Sequence, residues 1–248
     1  MSLFFTTSAN QRIAYRQQAG EGKLGVTFIH GFRSDMQSTK ATALAEWCAA
    51  RGVRFTAFDC FAHGESEGDF MEFTIGRGLE STLEVLDHVA LGDQILVGSS
   101  MGGWLSLLAA RERRGQVRGL VGIAAAPDFT EDMWLRHMTP EHRATVESDG
   151  VLWVPSDYGS DYPITHTLIQ DGKRHLLLED VIGLDIPIHL IQGQQDADVP
   201  WETALKIAKA VTSDDVTLHL VKDGEHRLSR PQDLALLFHA VERLLGSD

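Results

Sequence analysis

Residues 94–105, Gln-Ile-Leu-Val-Gly-Ser-Ser-Met-Gly-Gly-Trp-Leu, constrain this chain more than any other stretch. Ile95, Leu96 and Val97 form a short apolar run with two β-branched members, the composition of a buried strand. From Met101 to about Ala110 the chain is apolar almost throughout and reads as a buried helix. Between them lies Gly98-Ser99-Ser100-Met101-Gly102, a G-x-S-x-G. A chain that passes from strand to helix in so few residues turns sharply and holds the middle serine in a strained conformation. Side chains two positions away would collide with it, and Gly98 and Gly102 remove those collisions. Ser99 cannot take this place, because Val97 stands two residues before it, so Ser100 is the candidate nucleophile. The helix start behind it offers N–H groups to a developing oxyanion.

Similar alternation runs along most of the chain. Apolar runs at residues 3–7, 12–17, 24–29, 53–58, 120–126, 186–191 and 216–221 predict strands. Helical spacing predicts helices over 36–51, over the stretch marked by Ile75, Leu79, Leu83, Leu86 and Val89, over 201–211, and from Pro231 onward. Ser229 and Gln232 stand at capping-box spacing before that last helix. The rhythm stops from about 128 to 185, a stretch holding Trp134, Met138, Trp153, Tyr158 and Tyr162 with Pro140, Pro155 and Pro163. The expectation is an α/β fold with a mainly parallel sheet covered by helices on both faces. Residues 1–127 and 186–248 supply the core, and 128–185 form a cap insertion. Its aromatic residues suit either an apolar acyl pocket or an ordinary cap core. The ligand site of such a sheet lies at the carboxyl ends of its strands.

A serine hydroxyl needs a base within hydrogen-bond reach. Of eleven histidines, His189 and His219 fall inside strands, His88 and His239 on helices, and His137, His142, His166 and His175 in the insertion. His226 follows the last strand, where this strand–elbow–helix architecture places its base. A carboxylate must then fix the imidazole tautomer. Asp196, after the penultimate strand, gives the chain order Ser…Asp…His, while Asp198 and Asp128 are rival candidates. The oxyanion donors expected are the amide of Met101, next after the nucleophile, and that of Phe32, in the loop after strand 24–29. His30 and His63 show no two-histidine ligand spacing, and no dinucleotide or phosphate-loop fingerprint follows any strand, so neither metal nor cofactor is expected.

Charge narrows the partners. With 22 basic and 35 acidic residues the net charge is −13, which argues against nucleic acid and anionic membranes. Cys48 and Cys60 have no motif spacing. The first residues lack a basic stretch followed by a long apolar one, and no apolar run approaches 18 residues. A cytoplasmic protein without a membrane span is the expectation.

Gly31-Phe32-Arg33-Ser34-Asp35-Met36 with Lys40-Ala41, residues 94–105, Asp196-Ala197-Asp198-Val199-Pro200-Trp201 and Asp223-Gly224-Glu225-His226-Arg227 carry a wider likeness. Over nearly its whole length the chain resembles the α/β-hydrolases. Within them it is most similar to the branch of the mitochondrial acyl-protein thioesterase and acyl-glucuronide esterase with its bacterial relatives. Ile164-Thr165-His166, Leu168-Ile169 and Arg174-His175-Leu176-Leu177-Leu178 match that branch's cap. The resemblance implies a serine hydrolase of small-molecule acyl esters or thioesters, working through Ser100, His226 and Asp196 without a cofactor. Amide hydrolysis, C–C hydrolysis and perhydrolysis share the triad and stay open. A non-catalytic binding relative would usually lack a triad member, and this chain lacks none. Two departures stand out: Cys60 and Ala62 where many relatives carry glycine or serine, and Gln192-Gly193 where His-Gly is usual.

Overall fold

The computed structural model describes residues 2–155 and 161–246. In chain order the elements are β1 (Leu3–Thr6), β2 (Arg12–Gln18), β3 (Gly25–Ile29), α1 (Thr39–Ala49), β4 (Arg54–Phe58), α2 (Ile75–His88), β5 (Gln94–Ser99), α3 (Met101–Glu112) and β6 (Val117–Ile123). There follow α4 (Phe129–Asp132), a π-helical turn (Met133–His137), α5 (Pro140–Asp149), β7 (Val151–Val154), β8 (Tyr162–Thr165) and α6 (His166–Gly172). The chain then resumes with β9 (Ile188–Gly193), α7 (Glu202–Ala210), β10 (Val216–Val221) and α8 (Pro231–Leu245).

Eight strands form one sheet in the order β1-β2-β4-β3-β5-β6-β9-β10, and β7 pairs with β8 in a separate antiparallel ribbon. Everything from β4 to β10 is parallel, with β1 and β2 antiparallel at one edge. A parallel sheet needs cover on both faces, and every residue of β5 and β9 is buried. One face packs on α2, α3 and α7 through residues such as Leu86, Trp104, Leu105 and Ile207, joined from the middle segment by Ile164, Leu168 and Ile169. The other face packs on α1 and α8, where Trp47 stacks on Phe238 at 5.7 Å. Among the described residues no helix is long and apolar enough to cross a membrane.

Three boundaries differ from the sequence expectation. Helix α1 begins at Thr39 rather than 36, because the Met36 N–H is held by Asp59 Oδ1 at 2.7 Å. Strand β6 runs three residues earlier and ends at Ile123, since Ala124 takes φ +45° and turns the chain away. Helix α8 is capped by Asp233, whose carboxylate accepts the Arg230 N–H at 3.0 Å, not by the Ser229–Gln232 pair. Tyr158, one of the aromatic residues counted in the middle segment, lies outside the described residues.

Candidate active site

Ser100 sits between β5 and α3 with φ +54° and ψ −117°, a backbone region that an L-residue occupies only under constraint. The constraint is visible. Its N–H donates to Ile123 O at 2.9 Å, and its carbonyl accepts from Gly103 N at 2.8 Å and Ala126 N at 3.1 Å. The flanking glycines are required for a reason other than the expected clash with the serine. A Cβ on Gly98 would stand 2.2 Å from Gly102 O, and one on Gly102 would stand 2.0 Å from Ile29 O. The elbow is therefore wedged against the end of β3 as well as against its own helix. Gly31, just past β3, is close as well: a Cβ there would lie 3.3 Å from Ser100 Cβ.

His226 and Asp196 meet across two loops at the carboxyl edge of the sheet. His226 Nδ1 donates to Asp196 Oδ2 at 2.9 Å; a carboxylate offers no proton there, so Nδ1 carries it. The Asp196 side chain is fully buried and that of His226 is one-quarter exposed. Asp196 Oδ1 accepts the N–H groups of Asp198 and Val199 at 2.9 and 2.8 Å. Oδ2 accepts a second bond, from Gln192 Nε2, at 2.9 Å. Burial alone would raise the Asp196 carboxyl. The His226 hydrogen bond and charge, then the two backbone N–H groups, outweigh it and hold the carboxyl below its usual range.

The two rival aspartates are placed differently. Asp198 is exposed beside the cavity mouth. Asp128, in the left-handed region at φ +63°, spends both carboxylate oxygens on the N–H groups of Leu177 and Leu178, each at 2.8 Å. It ties the end of β6 to the segment after α6.

Ser100, His226 and Phe32 line one cavity of about 830 Å³. Phe129, Met133, Met138, Leu152 and Val154 give it an apolar side; Arg33, Lys40, Glu225 and Arg227 give it a charged one. The Phe32 ring is embedded among those of His63, Phe70, Phe73, Phe129 and Tyr162, which fixes the loop that carries its amide. Arg33 reaches over the Tyr162 ring at 4.2 Å. Met101 is buried at the first position of α3.

His30 and His63 are buried supports below this loop. His30 Nδ1 lies 2.7 Å from Gly31 O, and its Nε2 accepts the Cys60 N–H at 3.0 Å, so the ring is neutral. Burial lowers the pKa of His30, and it lowers that of His63 to about 3. For a cation, the group among the described residues with ligand atoms within 4.8 Å of one another is Asp196, Asp198 and His226. There the Nδ1 proton already occupies the space between imidazole and carboxylate. Two site contacts escaped the sequence reading. Gln192 is one, although its departure from His-Gly marked the position. Lys40 is the other: its Nζ donates to Arg227 O and reaches Ser229 Oγ at 3.5 Å, tethering the His226 loop to α1. Burial lowers the Lys40 pKa to about 8.

Comparison with known proteins bears on this site. The family model Hydrolase_4, described as serine aminopeptidase S33, matches residues 20–154. The palmitoyl-protein thioesterase ABHD10, mitochondrial, of Mus musculus is 36% identical over 245 residues, covering 98% of this chain and 82% of that protein. A solved structure from Agrobacterium vitis S4 superposes with a TM-score of 0.94 at 37% identity, covering 99% of this chain and 98% of that one. The alpha/beta hydrolase domain-containing protein 10 from mouse gives 0.91 at 35% identity, covering 99% and 98%. These relatives correct one expectation. The mammalian thioesterases are named mitochondrial, which overturns the cytoplasmic assignment. That assignment rested on the lack of an apolar leader, and this says nothing about compartment.

Proposed function

Because the chain belongs to the α/β-hydrolase family of enzymes, we propose that it is a serine hydrolase that cleaves carboxylic esters or thioesters through an acyl-enzyme. Ser100 Oγ attacks the acyl carbonyl and passes its proton to His226 Nε2. The amides of Phe32 and Met101 hold the oxyanion. Asp196 keeps the Nδ1–H tautomer and stabilises the imidazolium, which returns the proton to the departing alcohol or thiol. Water then repeats the steps on the acyl-serine. The acyl chain lies along Phe129, Met133 and Leu152, contributed by residues 128–185 acting as a cap. The leaving group lies toward Lys40 and Arg227. The substrate class follows the relatives, which are named thioesterases.

The observation that carries this reading is the buried His226–Asp196 pair at 2.9 Å on the rim of the cavity that holds the strained Ser100. A fluorophosphonate probe is expected to label Ser100, and Ser100→Ala to lower turnover by on the order of 10⁴-fold or more with the fold retained. Labelling at Ser99, or a Ser100→Ala variant that still turns over, overturns the assignment. A panel of nitrophenyl esters, acyl thioesters and amides assayed with the same protein separates the bond classes.

A further inference from the structure

We propose that Gln192 is a positioning residue of the acid–base pair: its side-chain amide fixes the Asp196 oxygen that receives His226 and tempers that carboxylate's hold on the imidazolium. The proposal rests on the triad reading above and adds a residue to it.

Gln192 is the penultimate residue of β9, four before Asp196, and is 1% exposed. Its Nε2 lies 2.9 Å from Asp196 Oδ2 and 3.3 Å from Val199 O. A carboxylate has about four acceptor positions. At Asp196 four donors fill them: Asp198 N and Val199 N on Oδ1, Gln192 Nε2 and His226 Nδ1 on Oδ2. The backbone donors pin only Oδ1. Without Gln192 the other oxygen would answer to the half-exposed loop of His226 alone.

The amide has one orientation. Inverting it would set Oε1 against Asp196 Oδ2 and Val199 O, and all three are acceptors. In the orientation found, Oε1 is buried and without a hydrogen-bond partner among the described residues. Burying a polar atom unpaired is unfavourable, and methionine would fill similar space without that cost. Packing therefore does not account for a glutamine here, whereas its donor does. A donor on Oδ2 also draws charge from the oxygen that stabilises the imidazolium, so it secures geometry while weakening the ion pair. The charged and titratable groups that line the cavity with His226 are Asp198 on the acid's loop, Glu225 and Arg227 beside the base, Lys40 from α1, Arg33 from the β3 loop, and Asp132, His137 and His142 from the segment after β6. They are common to every variant below, so differences between variants report on position 192.

The test compares wild type, Q192M, Q192E and S100A on one nitrophenyl ester, with kcat, KM, the pH profile and thermal unfolding measured for each. Q192M is expected to lose about tenfold in kcat with KM within about twofold. Its acidic limb is expected to move up by about half a pH unit, because the carboxylate then holds the imidazolium more tightly. Q192E donates a proton to Asp196 only while its own carboxyl is protonated, so its kcat relative to wild type should fall steeply as pH rises. A Q192M enzyme with wild-type kcat and an unmoved acidic limb, or one that loses only thermal stability, overturns the proposal. Should Q192M be too unstable to assay, a Q192E profile parallel to wild type overturns it equally. Failure of the triad reading is separate and shows as turnover by S100A.

Discussion

At Ser100 the strained backbone is held by its neighbours, and those neighbours differ in how much change they tolerate. A Cβ on Gly98 or Gly102 would meet backbone oxygens at 2.2 and 2.0 Å, which cannot move without shifting α3 or β3. Alanine at either position is expected to cost about 3 kcal/mol or more, or to prevent folding, as read from chemical denaturation. A Cβ on Gly31 would meet Ser100 Cβ and Ser99 O at 3.3 Å, a crowding that small shifts relieve. Gly31→Ala should therefore cost under about 1.5 kcal/mol in stability while lowering kcat, because the relief displaces the candidate nucleophile or the loop carrying Phe32. Equal stability loss in all three variants would contradict this contrast.

At the scale of elements, two strand ends use an aspartate for opposite purposes. After β9, Asp196 turns into a loop whose backbone N–H groups secure one oxygen and leave the other for His226 and Gln192. After β6, Asp128 uses both oxygens to clamp Leu177 and Leu178. Asparagine has one acceptor oxygen and brings a competing donor. Asp196→Asn is expected to lower kcat by on the order of 10³–10⁴. Asp128→Asn should instead destabilise by about 1–3 kcal/mol, through one unpaired buried N–H, and keep kcat within about threefold of wild type. Asp198→Asn, at an exposed position, should change neither much. Steady-state kinetics with thermal unfolding on the three variants decides among them; a crippled, stable Asp128→Asn enzyme would move the acid to β6.

Across the molecule, buried imidazoles tie stability to pH. His30, His63 and His189 all have their pKa lowered, in each case first by burial. His63 is lowered to about 3. In the unfolded chain such a histidine protonates near 6.5, so between about 6.5 and 3 the unfolded state binds the extra proton. Stability contributed by the neutral His63 ring is thus complete above about pH 6.5 and is lost as pH falls through that window, at up to about 1.4 kcal/mol per pH unit. His63→Phe, of similar shape and among Phe32, Phe70 and Phe73, should be less stable at pH 7 through loss of the bond to Phe61 O. Its unfolding free energy should then fall less steeply from pH 6.5 to 4, by about one proton's worth of slope. Parallel curves for the two proteins would exclude His63 as a source of the acid sensitivity.

Local pattern was enough for the parallel α/β architecture and for the elbow, because strand and helix periods and the glycine spacing act over a few residues. Ser100, Asp196 and His226 were nameable from chain order and resemblance. The reason for Gly102 was not, because its clash comes from the end of β3, some seventy residues away in sequence, whereas that of Gly98 comes from the start of its own helix. Asp196 was preferred to Asp128 and Asp198 on chain order and resemblance alone; the physical ground for that preference, a carboxylate oxygen bonded to His226 Nδ1, comes only with the approach of the β10–α8 loop. The cap of α8 shifted for a local reason: Arg230 is held by Asp233 and Asp223, three and seven residues away, and this pairing overrides the Ser229–Gln232 spacing. Gln192 is legible in sequence only as an oddity. Its donor acquires meaning from the carboxylate that the folded chain sets 2.9 Å away, in a place that water does not reach.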